Sequence, residues 1–193
     1  MNEVGTKTIE TERLILRRFT VSDAEGMFYG WASDEKTVKY VNWSKHKSID
    51  ETAAILQAWI QDYDKNSFNW AVELKESKEL IGNISVISVS KKHNNCEIGY
   101  CYGSRYWNRG YATEALKAVV EYLFSKADMH IIEARHRSTN PASGRVMEKA
   151  GMKKEAVLTE RRLCKDTNTY CDLICYYIKN ASQTIKKPTD EPA

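Results

Sequence analysis

The chain has 193 residues, 42% of them hydrophobic and 28% charged, as is typical of one globular domain. Its net charge of +3 is too small to indicate nucleic acid as a partner. No stretch approaches the roughly 20 apolar residues of a membrane helix, and the N-terminal segment lacks the apolar core of a secretory signal. We therefore expect a cytoplasmic protein with a single domain over residues 1–179 and a polar, flexible tail over residues 180–193.

The cysteines give little sign of a metal site or a disulfide framework. They include no CxxC pair, and no histidine stands at metal-ligand spacing from them. We expect reduced, mostly buried thiols and no bound metal. The five cysteines are Cys96, Cys101, Cys164, Cys171 and Cys175.

The N-terminal third combines one strand pattern with two helix starts. Residues 9–19 alternate apolar and polar side chains, which predicts a half-buried strand. Ser22 and Glu25 have the spacing of a capping box, and so do Ser48 and Glu51. Each pair predicts the start of a helix.

The middle of the chain predicts three strands followed by a helix. Residues 68–74 and 80–88 are separated by a short charged turn and predict a hairpin, and residues 96–102 predict a third strand. From Ala112 the apolar period becomes that of a helix. The apolar stripe of this helix consists of Ala112, Ala115, Leu116, Val119, Val120 and Leu123.

The last third predicts strand, helix and two strands. The strand covers residues 130–136, and the helix that follows ends before Gly151. The final strands cover residues 152–163 and 169–178. A mixed α/β sheet with helices on both faces is the natural packing of this element order.

The junction between the third strand and the helix at Ala112 is a candidate anion site. The first amides of a helix lack intrahelical partners and lie at the positive end of its dipole. Gly110 allows close approach of a ligand to the backbone, and Arg109 adds a positive charge. The alternative is an ordinary loop with one turn glycine. Neither GxxxxGK[ST] nor GxGxxG occurs, so a P-loop and a Rossmann loop are excluded.

Several motifs in order resemble the GNAT superfamily of acetyl-CoA-dependent N-acetyltransferases, in particular the ribosomal-protein N-terminal acetyltransferase branch (RimJ/RimL type). The resemblance covers about residues 9–178. It rests on TERLILR at 11–17, EIGY at 97–100, YWNRGYATEA at 106–115, NPAS at 140–143 and EKAGM at 148–152.

The resemblance implies a mixed, mostly antiparallel twisted sheet with a splayed parallel strand pair and helices on both faces. It also implies that the pantetheine arm of acetyl-CoA lies along the exposed strand edge, with Asn140 contacting it from the second strand. The implied backbone contacts come from Tyr100, Cys101 and Tyr102 for the arm and from Arg109, Gly110, Tyr111, Ala112 and Thr113 for the pyrophosphate.

This chain departs from the superfamily pattern at two positions. Trp107 stands at the first position of the glutamine- or arginine-led phosphate motif, so we expect it to be a packing or lid residue. Many superfamily members have a tyrosine acid seven residues after the equivalent of Asn140, where this chain has Met147.

Acetyl transfer to an amine needs a base, a donor to the oxygen that gains charge, and a proton for the leaving thiolate. Glu97 is the candidate base, the alternative being a carboxylate paired with Arg or Lys. The backbone N–H of Tyr102 is the candidate oxygen donor. Ser143 is the candidate acid, the alternative being a helix-start serine. Cys101 is not expected to act as a nucleophile, because the cosubstrate carries the activated acyl group.

We expect transfer of acetyl to a primary amine, with the N-terminal α-amine of a ribosomal protein as the acceptor that the branch favours. Trp31 and Trp43 are the aromatic candidates for the acceptor pocket. A narrow, acid-lined cleft favours a polyamine or an aminoglycoside instead, and an open groove favours a peptide. A non-catalytic acyl-CoA-binding module is the alternative of another class, and the oligomeric state, including a homodimer, is left open.

Overall fold

The computed structural model describes residues 1–164 and 167–181. Its strands form one eight-stranded sheet in the order β1-β2-β3-β4-β5-β6-β8-β7. All neighbouring pairs are antiparallel except β5 and β6, which are parallel. The strands are β1 Ile9–Glu10, β2 Leu14–Arg17, β3 Asn69–Leu74, β4 Leu80–Ser90, β5 Asn95–Tyr102, β6 Ile131–Arg137, β7 Lys153–Cys164 and β8 Thr169–Lys179.

Helices cover both faces of this sheet, which confirms the predicted fold class. Short 3-10 segments lie at Val21–Asp23, Tyr63–Lys65 and Ser104–Tyr106, and a π-helical turn lies at Phe28–Ala32. The α-helices are α1 Ala24–Met27, α2 Glu35–Val38, α3 Ile49–Asp62, α4 Tyr111–Ser125 and α5 Pro141–Lys149. No helix in the described ranges is long and apolar enough to cross a membrane.

The predicted single strand over residues 9–19 is wrong. The chain turns after β1, where the Thr11 backbone N–H donates to the Leu14 carbonyl at 3.0 Å, and β2 then pairs antiparallel with β1. A polar turn inside an alternating segment does not change its period of two, so the period alone does not reveal the hairpin.

One of the two predicted capping boxes is misplaced. Ser22 lies inside a 3-10 turn, and the reciprocal contact is made two residues earlier, where the Thr20 backbone N–H donates to the Asp23 carboxylate at 2.8 Å. The second prediction is correct at its start, because Ser48 Oγ accepts from the Glu51 backbone N–H at 3.1 Å.

Two clusters of buried side chains flank the sheet. On one face the stripe of α4, including Leu116, Val119 and Leu123, packs against Trp70 and Ile98 of the sheet. On the other face Trp31, Met27 and Leu56 from the early helices pack against Ala71 and Leu80. Burying these apolar surfaces orients α4 and the early helices on opposite sides of β5.

Strands β5 and β6 stay together over only part of their length. They pair from Asn95 with Ile131 to Ile98 with Ala134. Beyond that point β5 continues along β4 as far as Tyr102, and β6 continues along β8 as far as Arg137. The two strands therefore diverge, and the sheet has an opening between their carboxyl ends.

The chain after β8 leaves the sheet through a buried contact. The Asn180 backbone N–H donates to the His130 carbonyl at 2.9 Å, and its side chain amide donates to the Met129 carbonyl at 3.2 Å. The predicted tail begins at this residue, and its positions from 182 onward lie outside the described residues.

Candidate active site

The opening between β5 and β6 leads into a cleft of about 1100 Å³. Of the residues predicted to act or to bind the cosubstrate, all but Arg109 line this cleft. They are Glu97, Tyr100, Cys101, Tyr102, Gly110, Tyr111, Ala112, Thr113, Asn140 and Ser143. The fold thus brings together residues that lie up to 46 positions apart in the chain.

The backbone of β5 presents polar groups to the opening. The Gly103 N–H donates to the Ile81 carbonyl of β4 at 3.1 Å. Because successive backbone groups of a strand point to opposite sides, the N–H groups of Tyr102 and Tyr100 point away from β4, toward the opening. The Tyr102 carbonyl already accepts from Trp107 Nε1 at 2.7 Å. The Tyr102 N–H therefore faces the opening, and its role as the oxygen donor stays a prediction.

The start of α4 has the geometry of an anion site. Gly110 is the residue before the helix and adopts φ 84°, a left-handed conformation that glycine reaches without strain. The first bond of the helix runs from the Glu114 N–H to the Gly110 carbonyl at 3.0 Å. The amides of residues 111–113 precede that bond, at the positive end of a 15-residue helix.

Three residues outside the predicted site hold this helix start in place. Glu114 accepts hydrogen bonds from Thr11 Oγ1 at 2.6 Å, from the Arg13 backbone N–H at 2.9 Å and from Arg13 Nε at 2.7 Å. Arg13 Nη1 also donates to the Arg109 carbonyl at 3.1 Å. We call Thr11, Arg13 and Glu114 the helix clamp.

The helix clamp gives the TERL segment at 11–14 a structural role and shifts the pKa of Glu114. Thr11 and Arg13 of this segment bind Glu114 of α4, about 100 residues further along the chain, and the local sequence pattern does not reveal this contact. Burial acts to raise the pKa of Glu114, but the hydrogen bonds from Thr11 and Arg13 outweigh it and lower the pKa below its ordinary value.

Tyr100 and Ser143 meet across the opening. The Tyr100 hydroxyl lies 2.9 Å from Ser143 Oγ and donates to the Ser143 carbonyl at 3.0 Å. Burial raises the pKa of Tyr100 above its ordinary value, so the phenol stays protonated at neutral pH. Met147, where many relatives have a tyrosine, is 1% exposed and packs in the core instead. A phenol is therefore present beside Ser143, but it comes from β5.

Asn140 begins α5. Its Oδ1 accepts from the Ser143 backbone N–H at 3.4 Å, so the side chain oxygen caps the helix and the amide nitrogen remains as the donor group. Ser143 lies in the first turn of α5, as the structural alternative predicted, and it also lines the cleft.

Glu97 is paired. Its carboxylate lies 3.3 Å from Arg135 Nη2, which also lies 3.6 Å from Glu133. The Glu97 side chain is 20% exposed and lines the cleft. The geometry therefore contains the ion pair that was the alternative to a base, at a position that also borders the reaction space.

The Cys101 thiol is not set up as a nucleophile. Burial, with a smaller contribution from Asp34, raises its pKa to about 12. At neutral pH the thiol is neutral, and the thiolate is the nucleophilic form. No group of three His, Cys, Asp or Glu side chains in the described part of the chain could hold a metal ion.

Aromatic side chains form part of the cleft lining. Trp43 and Tyr40 line the cleft, and the Tyr40 ring lies 6.3 Å from the ring of Trp107. Trp107 is 38% exposed and donates to the Tyr102 carbonyl, so the structure leaves both expected roles open, a packing residue and a lid residue. Trp31 lines the cleft too, but at 0% exposure it belongs to the core beneath it.

A family model described as an acetyltransferase (GNAT) domain matches residues 13–153. The chain therefore belongs to the GNAT acetyltransferase family, and it is an acyltransferase enzyme. The uncharacterized N-acetyltransferase YoaA of Bacillus subtilis (strain 168) is 36% identical over 167 residues, which cover 84% of this chain and 94% of YoaA.

One further sequence similarity points to the predicted branch, and one solved structure shows the same fold. The [ribosomal protein uS5]-alanine N-acetyltransferase of Escherichia coli (strain K12) is 25% identical over 156 residues, 76% of this chain and 78% of that protein. The solved structure of RimL, a ribosomal L7/L12 alpha-N-protein acetyltransferase in complex with coenzyme A, has the same fold, with a TM-score of 0.81 at 17% identity over 92% of this chain and 100% of that one. The predicted resemblance to the RimJ/RimL-type branch is confirmed.

Proposed function

We propose that this enzyme transfers an acetyl group from acetyl-CoA to the N-terminal α-amine of a polypeptide. The observation that carries the proposal is the opening between β5 and β6, which joins an anion-binding helix start to an aromatic-walled cleft. Acetyl-CoA supplies the acetyl group as an activated thioester, so the enzyme needs no covalent intermediate of its own.

The residues at the start of α4 fit the phosphate end of acetyl-CoA. The backbone amides of Tyr111, Ala112 and Thr113 would donate to the pyrophosphate, and Gly110 lets it approach the chain. Arg109 supports this site through its carbonyl contact with the helix clamp, and its side chain lies outside the cleft lining. Lys117 and Lys149 border a smaller depression beside Gly110, together with Glu12 and Glu114.

The residues of β5 and α5 fit the acetyl and pantetheine end. Tyr100 and Tyr102 would bind the arm through their backbone, and Asn140 through its amide nitrogen. The predicted backbone contact of Cys101 is not proposed, because the same alternation points its N–H and carbonyl toward Asn83 of β4. The Tyr102 N–H would donate to the acetyl oxygen as it gains negative charge. The Ser143 hydroxyl would donate a proton to the departing sulfur. The Tyr100 hydroxyl lies 2.9 Å from Ser143 Oγ, and either oxygen can donate to the other.

Glu97 is the proposed base, acting directly or through water on the incoming amine. Its pairing with Arg135 fixes the carboxylate at the floor of the cleft, and a bridging water would complete the path to the amine. The Glu97→Gln variant keeps the shape of this side chain and removes its proton-accepting charge, so we expect kcat to fall by about 10²-fold.

The charge of the cleft lining favours a peptide over a polycationic acceptor. Its acidic residues are Asp62 and Glu97, and its basic residues are Arg135, Arg137, Arg145, Lys149 and Arg162. A lining with more basic than acidic groups repels polyamines and aminoglycosides, whereas a peptide N-terminus carries its single amine on a neutral backbone.

Release of CoA thiol from acetyl-CoA in the presence of each acceptor tests the proposal. We expect release with N-terminal peptides and little with spermidine or kanamycin. Glu97→Gln and Ser143→Ala should each lower kcat while leaving acetyl-CoA binding intact. Release with the polycations alone would contradict the peptide acceptor. Binding of acetyl-CoA without release to any acceptor would contradict the catalytic assignment.

A further inference from the structure

Arg137 is a buried cation at the wall of the cleft. It is 7% exposed and lines the cleft at the end of β6. Its Nη1 donates to the Lys39 carbonyl and its Nη2 to the Val41 carbonyl, both at 3.1 Å. In the part of the chain that the structure describes, it forms no ion pair with a carboxylate. Buried charges are normally paired, so this guanidinium favours an anion from outside the chain.

Its hydrogen-bonding capacity is not exhausted by these two carbonyls. A guanidinium carries five N–H groups in a planar fork, a geometry that matches a carboxylate. The two carbonyl contacts fix the plane of Arg137 and hold it at the cleft wall. A prepositioned donor binds with less loss of side-chain entropy than a mobile one.

A second arginine lies on the same face of the sheet. Arg137 is opposite Leu173 on β8, and Arg162 of β7 is opposite Cys171. Leu173 and Cys171 are two residues apart on one strand, so they point to the same face. Arg162 is exposed and also lines the cleft.

The other basic residues of the lining have different positions or partners. Arg135 is engaged by Glu97 and Glu133. Arg145 and Lys149 belong to α5, which packs on the opposite face of the sheet, toward α4. Of the basic lining residues named above, Arg137 and Arg162 are therefore the two that lie on the sheet face away from α5 and have no carboxylate partner named here.

We infer that Arg137 and Arg162 form an anion subsite for the acceptor, and that the preferred acceptor polypeptide carries an aspartate or glutamate at its second, third or fourth residue. The inference rests on the proposed function. Arg137 lies three residues beyond the last paired residue of β6, about 10 Å along the strand, and Tyr102 lies four residues beyond that of β5. The proposed subsite and the Tyr102 N–H therefore lie at similar distances beyond the last β5–β6 pair. A few extended residues of an acceptor peptide can span the gap between them.

The test compares matched hexapeptide amides that carry glutamate or glutamine at position two, three or four, with all other residues neutral. Release of CoA thiol gives kcat/KM for each peptide. We expect the wild-type enzyme to prefer the glutamate peptide by about fivefold or more at one of these positions, and to lose that preference at high salt.

Arg162→Gln should reduce the preference to less than about twofold, because it lowers kcat/KM for the glutamate peptide more than for the glutamine peptide. Arg161→Gln is the matched control, because it removes the same charge from the neighbouring exposed residue, which is not part of the cleft lining. Arg137→Lys, checked for an unchanged melting temperature, should weaken the preference as well because lysine lacks the planar fork.

Equal rates for all glutamate and glutamine pairs, or a preference that survives Arg162→Gln, would overturn the subsite while leaving the proposed function intact. If Arg161→Gln lost the preference for glutamate to the same extent, the preference would be due to net charge, and the subsite would be overturned as well. Absence of release with every peptide would overturn the peptide acceptor and the subsite together.

Discussion

The Tyr100 hydroxyl lies 2.9 Å from Ser143 Oγ, across the opening where β5 and β6 diverge. A side chain of β5 therefore contacts a side chain from the first turn of α5. When the phenol turns its one proton from the Ser143 carbonyl to Ser143 Oγ, the serine proton is free to point into the cleft. Tyr100 and Ser143 belong to two separate sequence motifs, EIGY and NPAS, and the fold brings their side chains together.

A double-mutant cycle on Tyr100→Phe and Ser143→Ala tests this coupling. We expect Ser143→Ala to lower kcat by about 10²-fold and Tyr100→Phe by about tenfold, with KM for acetyl-CoA changed less than about twofold in each. Because Tyr100 acts through Ser143, adding Tyr100→Phe to Ser143→Ala should lower kcat no further. Independent, multiplicative losses would show that Tyr100 has another role.

Removing the carboxylate of the helix clamp should destabilise the protein and weaken cosubstrate binding. Glu114 accepts from both Thr11 and Arg13, and its side chain is 17% exposed. We expect Glu114→Gln to cost about 1–3 kcal/mol in urea unfolding and to raise the Kd for CoA. Glu121→Gln, on an exposed position of the same helix, is the control and should change neither quantity.

The same residue predicts a pH dependence. The pKa of Glu114 is lower in the folded protein than its ordinary value, so its contribution is present above the unfolded pKa of about 4.3 and is lost as the pH falls through the folded pKa. The stability difference between wild type and Glu114→Gln should therefore be constant from pH 6 to 8 and shrink below about pH 4. A difference that grows in acid would contradict this sign.

Gly110→Ala tests the backbone conformation before α4, where the pyrophosphate is proposed to bind. A Cβ at φ 84° is strained, and it would lie 3.3 Å from Arg13 Nη2. We expect a loss of about 1–2 kcal/mol in stability and a weaker Kd for CoA by calorimetry. Gly26→Ala, where the added Cβ meets Leu80 at an ordinary 3.5 Å inside α1, should be neutral or stabilising. Unchanged CoA binding in Gly110→Ala would contradict the role given to this loop.

Cys101→Ala should retain activity, with kcat within about threefold of wild type, because the buried thiol has a pKa of about 12 and does not form the nucleophilic thiolate. Rate measurements at saturating acetyl-CoA check this. A loss above about 100-fold, together with acetyl-enzyme detected by mass spectrometry, would indicate a covalent route.

Much of the fold follows from local periodicity. The stripe from Ala115 to Leu123 is buried as predicted, because a 3.6-residue period directly specifies which helix face packs. The turn between β1 and β2 was missed because a strand of two residues is too short to show an alternation of its own. The divergence of β5 and β6 was expected only from the family resemblance. A local sequence pattern does not indicate where two paired strands separate.

The lining of the candidate site was predictable where the backbone of one motif forms it, and less so where side chains from distant segments meet. Gly110 and Ser143, which motifs singled out, both line the cleft, and their roles stay predictions. The contact of Glu114 with Arg13 joins residues 101 positions apart. From its position at the end of a strand, Arg137 would be expected to face solvent, but in the fold it donates to the Lys39 carbonyl and is buried. Charge alone does not reveal such a partner, because most arginines are exposed.

The short pairing of β5 with β6 has a mechanical consequence. The backbone ladder between the five-strand half and the three-strand half of the sheet spans only four residue pairs. At the open end the two halves are joined by side-chain contacts instead of backbone pairs, namely those of Arg137 with the Lys39 and Val41 carbonyls and of Tyr100 with Ser143. Substitutions at Arg137 or Tyr100 can therefore change the width of the cleft without breaking a backbone pair of the sheet.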